Sequence, residues 1–176
     1  FQEILKVIKI KKIDIVIVGP EEPLVNGIVN FLNNEGVRVL GPDKFASKLE
    51  GSKAFMKNLC KKNNIPTAKY GVFEDYSSAV HFLLNNKTPI VVKADGLAAG
   101  KGVSICKNIE EAKTKKKEIL DGKFKSSRKV ILEEFLQGEE LSYFIISDNN
   151  CYKFFGSAQD HKKVGEGDVG PNTGGM

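Results

Sequence analysis

No stretch of this sequence approaches the ~20 apolar residues that a membrane-spanning helix needs. Its first residues, FQEILKVIKIKK, lack the small-residue cleavage site of a secretory signal. Cysteine is sparse: Cys60, Cys106 and Cys151 are odd in number, widely spaced and without a CxxC pair. That pattern indicates neither a disulfide framework nor a cysteine zinc site, and it fits reduced thiols in the cytoplasm. Internal repeats and low-complexity segments are absent. Neither sign of charge dominates, since 27 basic side chains face 22 acidic ones for a net +5. So small an excess gives little reason to expect nucleic acid, and it suits a protein whose ligands are phosphates. The basic run Lys115, Lys116 and Lys117 shares its helical segment with Glu110, Glu111 and Glu118 and reads as a solvated face. With 41% hydrophobic and 28% charged residues the chain is ordinary globular material rather than disordered. A length of 176 residues suits one large domain or pieces of two. The start at Phe1 and the stop in NTGGM lead us to expect an internal stretch of a longer protein.

The chain does carry alternating strand and helix signals. IDIVIV at 13–18, closed by Gly19-Pro20, predicts a buried parallel strand. Pro23 suits a first helical turn, Leu24, Ile28, Phe31 and Leu32 recur at helical spacing, and Gly36 suits a C-terminal cap. VRVLG at 37–41 predicts the next strand, completing a βαβ unit whose Gly19–Glu22 loop lies at the carboxyl end of a strand, where such sheets bind ligands. Asp43 and Ser52 are successive N-cap candidates, and the helical pattern after them runs to Asn63-Asn64. Beyond Pro66 the spacing predicts a helix over 76–86, a strand over 89–94, a helix from the Asn108/Glu111 capping signal to Leu120, and a strand over 129–135. Two further strands, GEELSYFIIS and CYKFFGSA, are joined by a turn at Asp148-Asn149-Asn150, and the glycine-rich tail from Gln159 to Met176 reads as loop.

Three segments carry chemistry. In PIVVKADGLAAGKGVSI (89–105), Lys93 shares a strand face with Val91, and a lysine at the end of a buried strand needs an anion nearby. Gly96, Gly100 and Gly102 then let backbone N–H groups approach a polyphosphate, with Lys101 adding a mobile charge. The spacing is not that of a P-loop, and a plain glycine-rich hairpin is the competing reading. Glu133-Glu134-Phe135-Leu136, followed by Gly138-Glu139-Glu140, offers backbone groups to an adenine ring and a carboxylate to ribose; the same acids also read as a solvated strand face. Asp160, His161 and Lys162, ahead of GEGDVGPNTGGM, suit a loop that folds around a small polar substrate. His81 faces outward from an amphipathic helix and receives no role.

Taken together these strings resemble the ATP-grasp enzymes and, within them, the phosphoribosylamine–glycine ligase (glycinamide ribonucleotide synthetase) family. The resemblance rests on VGPEEPLVNGIV (18–29), GPDKFASKLEGSKAFMK (41–57), IPTAKY (65–70), VVKADGLAAGKGV (91–103), LEEFLQGEE (132–140) and QDHKKVGEGDVGPNTGGM (159–176). It implies an α/β (α+β) ATP-grasp architecture: the end of an N-terminal Rossmann-like βαβ domain over 1–64, a small lid subdomain over 65–132, and the start of the main ATP-grasp domain over 133–176.

The resemblance also implies the chemistry. Glycine would be joined to 5-phosphoribosylamine at the expense of ATP, through a glycyl phosphate, in purine biosynthesis. Lys53 and Lys93 would contact phosphates, and the loop from Gly96 through Gly100, Lys101 and Gly102 to Val103 would be a lid, expected to be mobile without nucleotide. Glu133, Glu134, Phe135 and Leu136 would frame adenine, with Glu140 at ribose. Glu21, Pro23 and Leu24 would lie near the phosphoribosylamine. Asp160, His161, Lys162 and the turn Asn172-Thr173-Gly174-Gly175 would line the acceptor side, and Lys93, Asp160 and His161 would be the catalytic residues. Magnesium or manganese would be needed, with protein ligands beyond Met176 and none in this segment. Partners would be glycine, phosphoribosylamine and ATP, not nucleic acid or membrane. Another ATP-grasp carboxylate–amine ligase and a non-catalytic nucleotide-binding module remain as alternatives.

Overall fold

A computed structural model describes residues 1–98, 102–124, 128–148, 150–159, 161, 163–167 and 169–172. The chain divides into two compact units, Phe1–Phe135 and Leu136–Met176.

The first unit opens with helix α1 (Gln2–Lys11), whose Leu5 and Ile8, one turn apart, are buried. Strand β1 (Val16–Ile17) pairs in parallel with β2 (Val39–Leu40), Val16 opposite Val39. Between them the chain is helical, but not in one piece. α2 (Glu21–Val25) stops at Asn26, and α3 (Ile28–Asn34) restarts after Gly27, whose φ of +91° suits glycine alone. The expected single helix from Pro23 is therefore a broken pair that begins two residues earlier, at Glu21. Gly36, at φ +73°, follows α3 as the sequence led us to expect. Leu5, Ile8, Ile28, Val29 and Leu32 form one core, with Val16, Val18 and Val39 packed against it. The strand expected over 13–18 is shorter and is buried on one side only. Val16 and Val18 face the core while Ile17 is 70% exposed, because only one face of this two-stranded pair has helices against it.

Two short steps lead to the sheet. Asp43 Oδ1 accepts from the Ala46 N–H, α4 (Lys48–Gly51) follows, and Ser52 caps α5 (Lys53–Lys62) by accepting from the Phe55 N–H. Strands β3 (Tyr70–Phe73), β4 (Ile90–Ala94), β5 (Val103–Cys106) and β6 (Val130–Glu134) make a fully antiparallel sheet in the order β3-β6-β4-β5. Helices α6 (Tyr76–Leu84) and α7 (Ile109–Leu120) cover one face. Ala79 and Leu83 of α6, and Ala112 and Ile119 of α7, meet Ile90, Val92, Ala94, Cys106, Val130 and Leu132 in the main core. Asp75 and Asn108 cap these helices by accepting from the Ser78 and Glu111 N–H groups. Burying a side chain such as Leu132 contributes about 1.5–3 kcal/mol.

The basic run on α7 is not a wholly solvated face. Lys115 is half-buried and Lys117 exposed, but Lys116 is fully buried. Its Nζ donates to the Tyr76 carbonyl and lies 3.1 Å from the centre of the Tyr76 ring. Helical spacing turns position 116 inward with Ala112 and Ile119, and the long stem reaches the ring. Burial lowers the Lys116 pKa to about 8, helped by the charge of Lys113.

The second unit holds the antiparallel pair β7 (Leu141–Ser147) and β8 (Tyr152–Gln159), joined at Asp148, whose carboxylate accepts from the Asn150 and Cys151 N–H groups. The tail expected to be loop contains a small hairpin, β9 (Lys163–Gly165) with β10 (Val169–Asn172). Gly167 at φ +74° lies in the turn and Gly170 at φ +87° at the register shift, so the same glycines that suggest loop permit a tight hairpin.

Lys116 yields a prediction about pH. Its folded pKa is lowered from 10.5 to about 8, so between those values the unfolded chain holds a proton that the folded chain has released, and this residue's contribution to stability rises with pH. We expect Lys116→Met to remove that rise. The difference in melting temperature between variant and wild type, scanned from pH 7 to 10.5, should favour the variant most at pH 7 and shrink towards the alkaline end.

Candidate functional site

Antiparallel register brings distant charges together on the sheet face opposite α6 and α7. Lys93 pairs with Ile131 and Val91 with Glu133, so Lys93 and Glu133 are diagonal neighbours on one face. The Lys93 Nζ donates to Glu133 Oε2 at 3.0 Å. The same oxygen accepts a second ion pair, also at 3.0 Å, from Lys57 of α5, whose Nζ further donates to Thr67 Oγ1 at 2.7 Å. Side-chain exposure is 4% for Lys57 and Glu133 but 26% for Lys93. Lys93 is thus the cation of the cluster that faces outward. Two ammonium groups against one carboxylate leave a formal charge of +1. Glu133 Oε1 is buried and has no hydrogen-bond partner among the described residues. A buried acceptor of this kind loses free energy unless a donor reaches it.

The glycine segment is anchored at both ends. The Ala94 N–H donates to the Gly102 carbonyl, which closes the base of the loop. Asp95, buried at the end of β4, accepts from the Ser52 hydroxyl and from the Ala54 N–H. A strand carboxylate therefore sits on the N-terminus of α5, where the free N–H groups and the helix dipole favour a negative charge. The Lys53 Nζ donates to the Gly96 carbonyl at 2.9 Å. Gly96 has φ +79°, and a Cβ at Gly102 would lie 2.6 Å from that of Ala98, so both positions require glycine.

A cleft of about 700 Å³ opens beside this anchor, with Glu21, Glu22, Glu50, Lys53, Gly96 and Val103 among its lining residues. Carboxylates and a lysine in one cleft suit a polar ligand that carries charges of both signs. Among the described residues no group of three or more His, Cys, Asp or Glu side chains is placed to hold a metal ion. No described helix is long and apolar enough to cross a membrane.

The structure brings Lys53, Gly96, Gly102, Val103 and Glu21 to the cleft, and Lys93 and Glu133 to the charged sheet face. Pro23 is half-buried in α2, and Leu24 packs against the N-terminal core rather than lining the cleft. Glu134 is bound to β3: its Oε1 accepts from the Lys69 N–H, and its own N–H donates to the Lys69 carbonyl. Neither Glu133 nor Glu134 belongs to a solvated strand face, since one is buried and the other half-buried. Phe135 ends the first unit with its ring partly exposed, whereas Leu136, Glu140 and His161 belong to the second unit and are exposed. Gly100, Lys101, Asp160, Lys162, Thr173, Gly174 and Gly175 lie outside the described residues, as does the side chain of Asn172.

Two participants were not singled out from the sequence. Lys57 stands four residues after Lys53, so both lie on one face of α5, and that spacing was the available signal. Asp95 belongs to the glycine motif, and its role becomes visible only in the fold, which sets it against the α5 N-terminus.

Asp95→Ala should therefore weaken the anchor without touching the core. We expect a loss of about 1–2 kcal/mol of stability, measured by denaturant unfolding. Gly102→Ala should be destabilising as well, because the added methyl must displace Ala98.

Comparison with known proteins agrees with the architecture. The family model for the phosphoribosylglycinamide synthetase ATP-grasp (A) domain matches residues 51–176, and that for the phosphoribosylglycinamide synthetase N domain matches residues 1–50. A phosphoribosylamine–glycine ligase of Mesorhizobium japonicum is 53% identical over 94% of this chain and 39% of its own length. The chloroplastic ligase of Arabidopsis thaliana is 52% identical over 93% of this chain and 31% of its own. The chain thus spans 39% or less of these two curated relatives. The crystal structure of the ligase from Thermotoga maritima superposes with a TM-score of 0.72 at 38% identity, covering 79% of this chain and 36% of that one. The biotin carboxylase domain of a Hydrogenobacter thermophilus 2-oxoglutarate carboxylase, at 19% identity and a TM-score of 0.76 over 92% of this chain and 37% of that one, shares the fold.

Proposed function

The chain belongs to the phosphoribosylglycinamide synthetase family, and from that premise we propose that it forms the nucleotide-gripping part of an ATP-dependent ligase joining glycine to 5-phosphoribosylamine in purine biosynthesis. The observation that carries the reading is the cluster Lys57–Glu133–Lys93, a cation excess on a sheet face with Lys93 as its more exposed lysine. Family-wide use of ATP and a divalent metal agrees with it. Lys93 and Lys53 hold phosphates, the backbone from Gly96 to Val103 closes over them, and Gly100 and Lys101 complete that loop. Glu133, at the strand edge, offers its backbone groups to the adenine ring. Glu134, Phe135 and Leu136 frame the ring, and Glu140 receives the ribose.

In the proposed reaction a glycine carboxylate oxygen bonds to the γ-phosphorus and the bond to ADP breaks. The amine nitrogen of the sugar then attacks the acyl carbon of glycyl phosphate, and phosphate leaves as the amide forms. The chain's own contribution is positioning and charge neutralisation. Lys93 offsets charge as the phosphoryl group moves. Glu21 and its acidic neighbours in the cleft receive the sugar amine, with Pro23 and Leu24 shaping α2 behind them. Asp160, His161, Lys162 and the turn from Asn172 to Gly175 form the acceptor side. Magnesium or manganese would neutralise the transferring phosphate, and we assign its protein ligands to positions outside residues 1–176. We keep the division into residues 1–64, 65–132 and 133–176 as our proposal for the domains, and the cytoplasm for the location; Cys60, Cys106 and Cys151 are free thiols.

Lys93→Ala in the natural full-length protein should weaken ATP binding at least tenfold, about 1.4 kcal/mol, by calorimetric titration. ADP release that depends on both glycine and phosphoribosylamine is expected from the wild type. Unchanged ATP affinity in the variant, or ADP release indifferent to the two substrates, would refute the assignment.

A further inference from the structure

We infer that Lys57 is a positioning residue for the nucleotide phosphates, acting on Lys93 through the carboxylate they share. The inference rests on the reading of Lys93 as a phosphate ligand. Lys57 is too buried to touch a ligand: its side chain is 4% exposed, and its Nζ is occupied by Glu133 Oε2 and Thr67 Oγ1. Tyr70 lies alongside, with the ammonium 5.6 Å from its ring centre. Its influence must therefore pass through Glu133.

The carboxylate has one negative charge and gives the same oxygen to both lysines at 3.0 Å. While Lys57 claims part of that charge, Lys93 is only partly neutralised and keeps a field for an anion in front of it. Without Lys57 the carboxylate would belong to Lys93 alone. The pair would be neutral, and the Lys93 ammonium would be drawn back towards β6. Burial sharpens the effect, because a charge-to-charge interaction in so dry a site is screened far less than at the surface. A ligand without phosphates has nothing to gain or lose from this field. The signature is a change in the preference for phosphorylated over unphosphorylated nucleoside, not a general loss of binding.

The proposal predicts the outcome of a charge-restoring pair of substitutions. Wild type, Lys57→Met, Lys57→Arg, Lys57→Met with Glu133→Gln, and Lys93→Ala are made in the natural full-length protein. Dissociation constants for ATP and for adenosine are measured by calorimetry for each, with melting temperature as a check on folding. Lys57→Met, close to isosteric, should lower the ratio of ATP to adenosine affinity about tenfold. Lys57→Arg should keep most of the wild-type ratio. The double variant restores the +1 by removing one charge of each sign, so its ratio should return towards wild type even though two buried groups have changed. A purely structural role for Lys57 would reduce both affinities together and leave the double variant no better than the single, which would overturn the inference. Should Lys93→Ala leave the ratio unchanged, the phosphate reading of Lys93 itself fails. A ratio that responds to Lys93→Ala but not to Lys57→Met sinks the positioning role alone.

Discussion

Glu133 holds two lysines on the open face of a four-stranded sheet, and the arrangement around it follows from that burden. Removing charged groups from water costs several kcal/mol each, and the attraction between them offsets this only if their geometry is tightly fixed. Three separate elements supply that geometry. The register of β4 against β6 places Lys93 diagonally from Glu133, and the capped start of α5 directs Lys57 at the same oxygen from above. Thr67, just ahead of β3, accepts a further hydrogen bond from the Lys57 ammonium. The opposite face of the same strands carries Ile90, Val92, Ala94, Val130 and Leu132 into the core, so the alternation of one sheet separates a hydrophobic interior from the charged cluster.

The second constraint is the anchor at Asp95. A loop rich in glycine has little of its own to hold it, so its roots decide where it can go. One root is bonded to α5 by Asp95 and Lys53, and the Ala94–Gly102 hydrogen bond ties the two roots together. Helix, strand end and loop base thus form one joint beside the cleft that carries Glu21 and Glu50.

How far the sequence foretold this depends on how local each signal was. The strand of Lys93, the caps at Asp43, Ser52 and Asn108, and the outward His81 were legible because alternation, helical spacing and capping act over a few residues. Helix α1 was overlooked because its apolar residues were weighed only as a possible signal segment. The hairpin of β9 and β10 was read as loop because turn glycines and loop glycines have the same composition. Lys116 looked like one more solvated lysine, and only the ring of Tyr76, contributed by another helix, gives it a buried place. The role of Glu133 was the least legible. A carboxylate on a strand carries no mark of its partner, and here one partner lies 40 residues away.

That separation bears on how the chain is made. Lys57 and Lys93 leave the ribosome well before Glu133, and until it appears neither has the carboxylate that permits its burial. During that interval neither lysine has its buried counter-charge, although the hairpin of β4 with β5 and the Asp95 joint to α5 have every residue they need. Insertion of β6 and neutralisation of the two lysines are then a single event. It completes the sheet, because among the described residues β3 pairs with β6 alone, and two helices separate them in the chain. A translational pause ahead of residue 133 would hold the nascent chain with its local elements formed and its polar face still open.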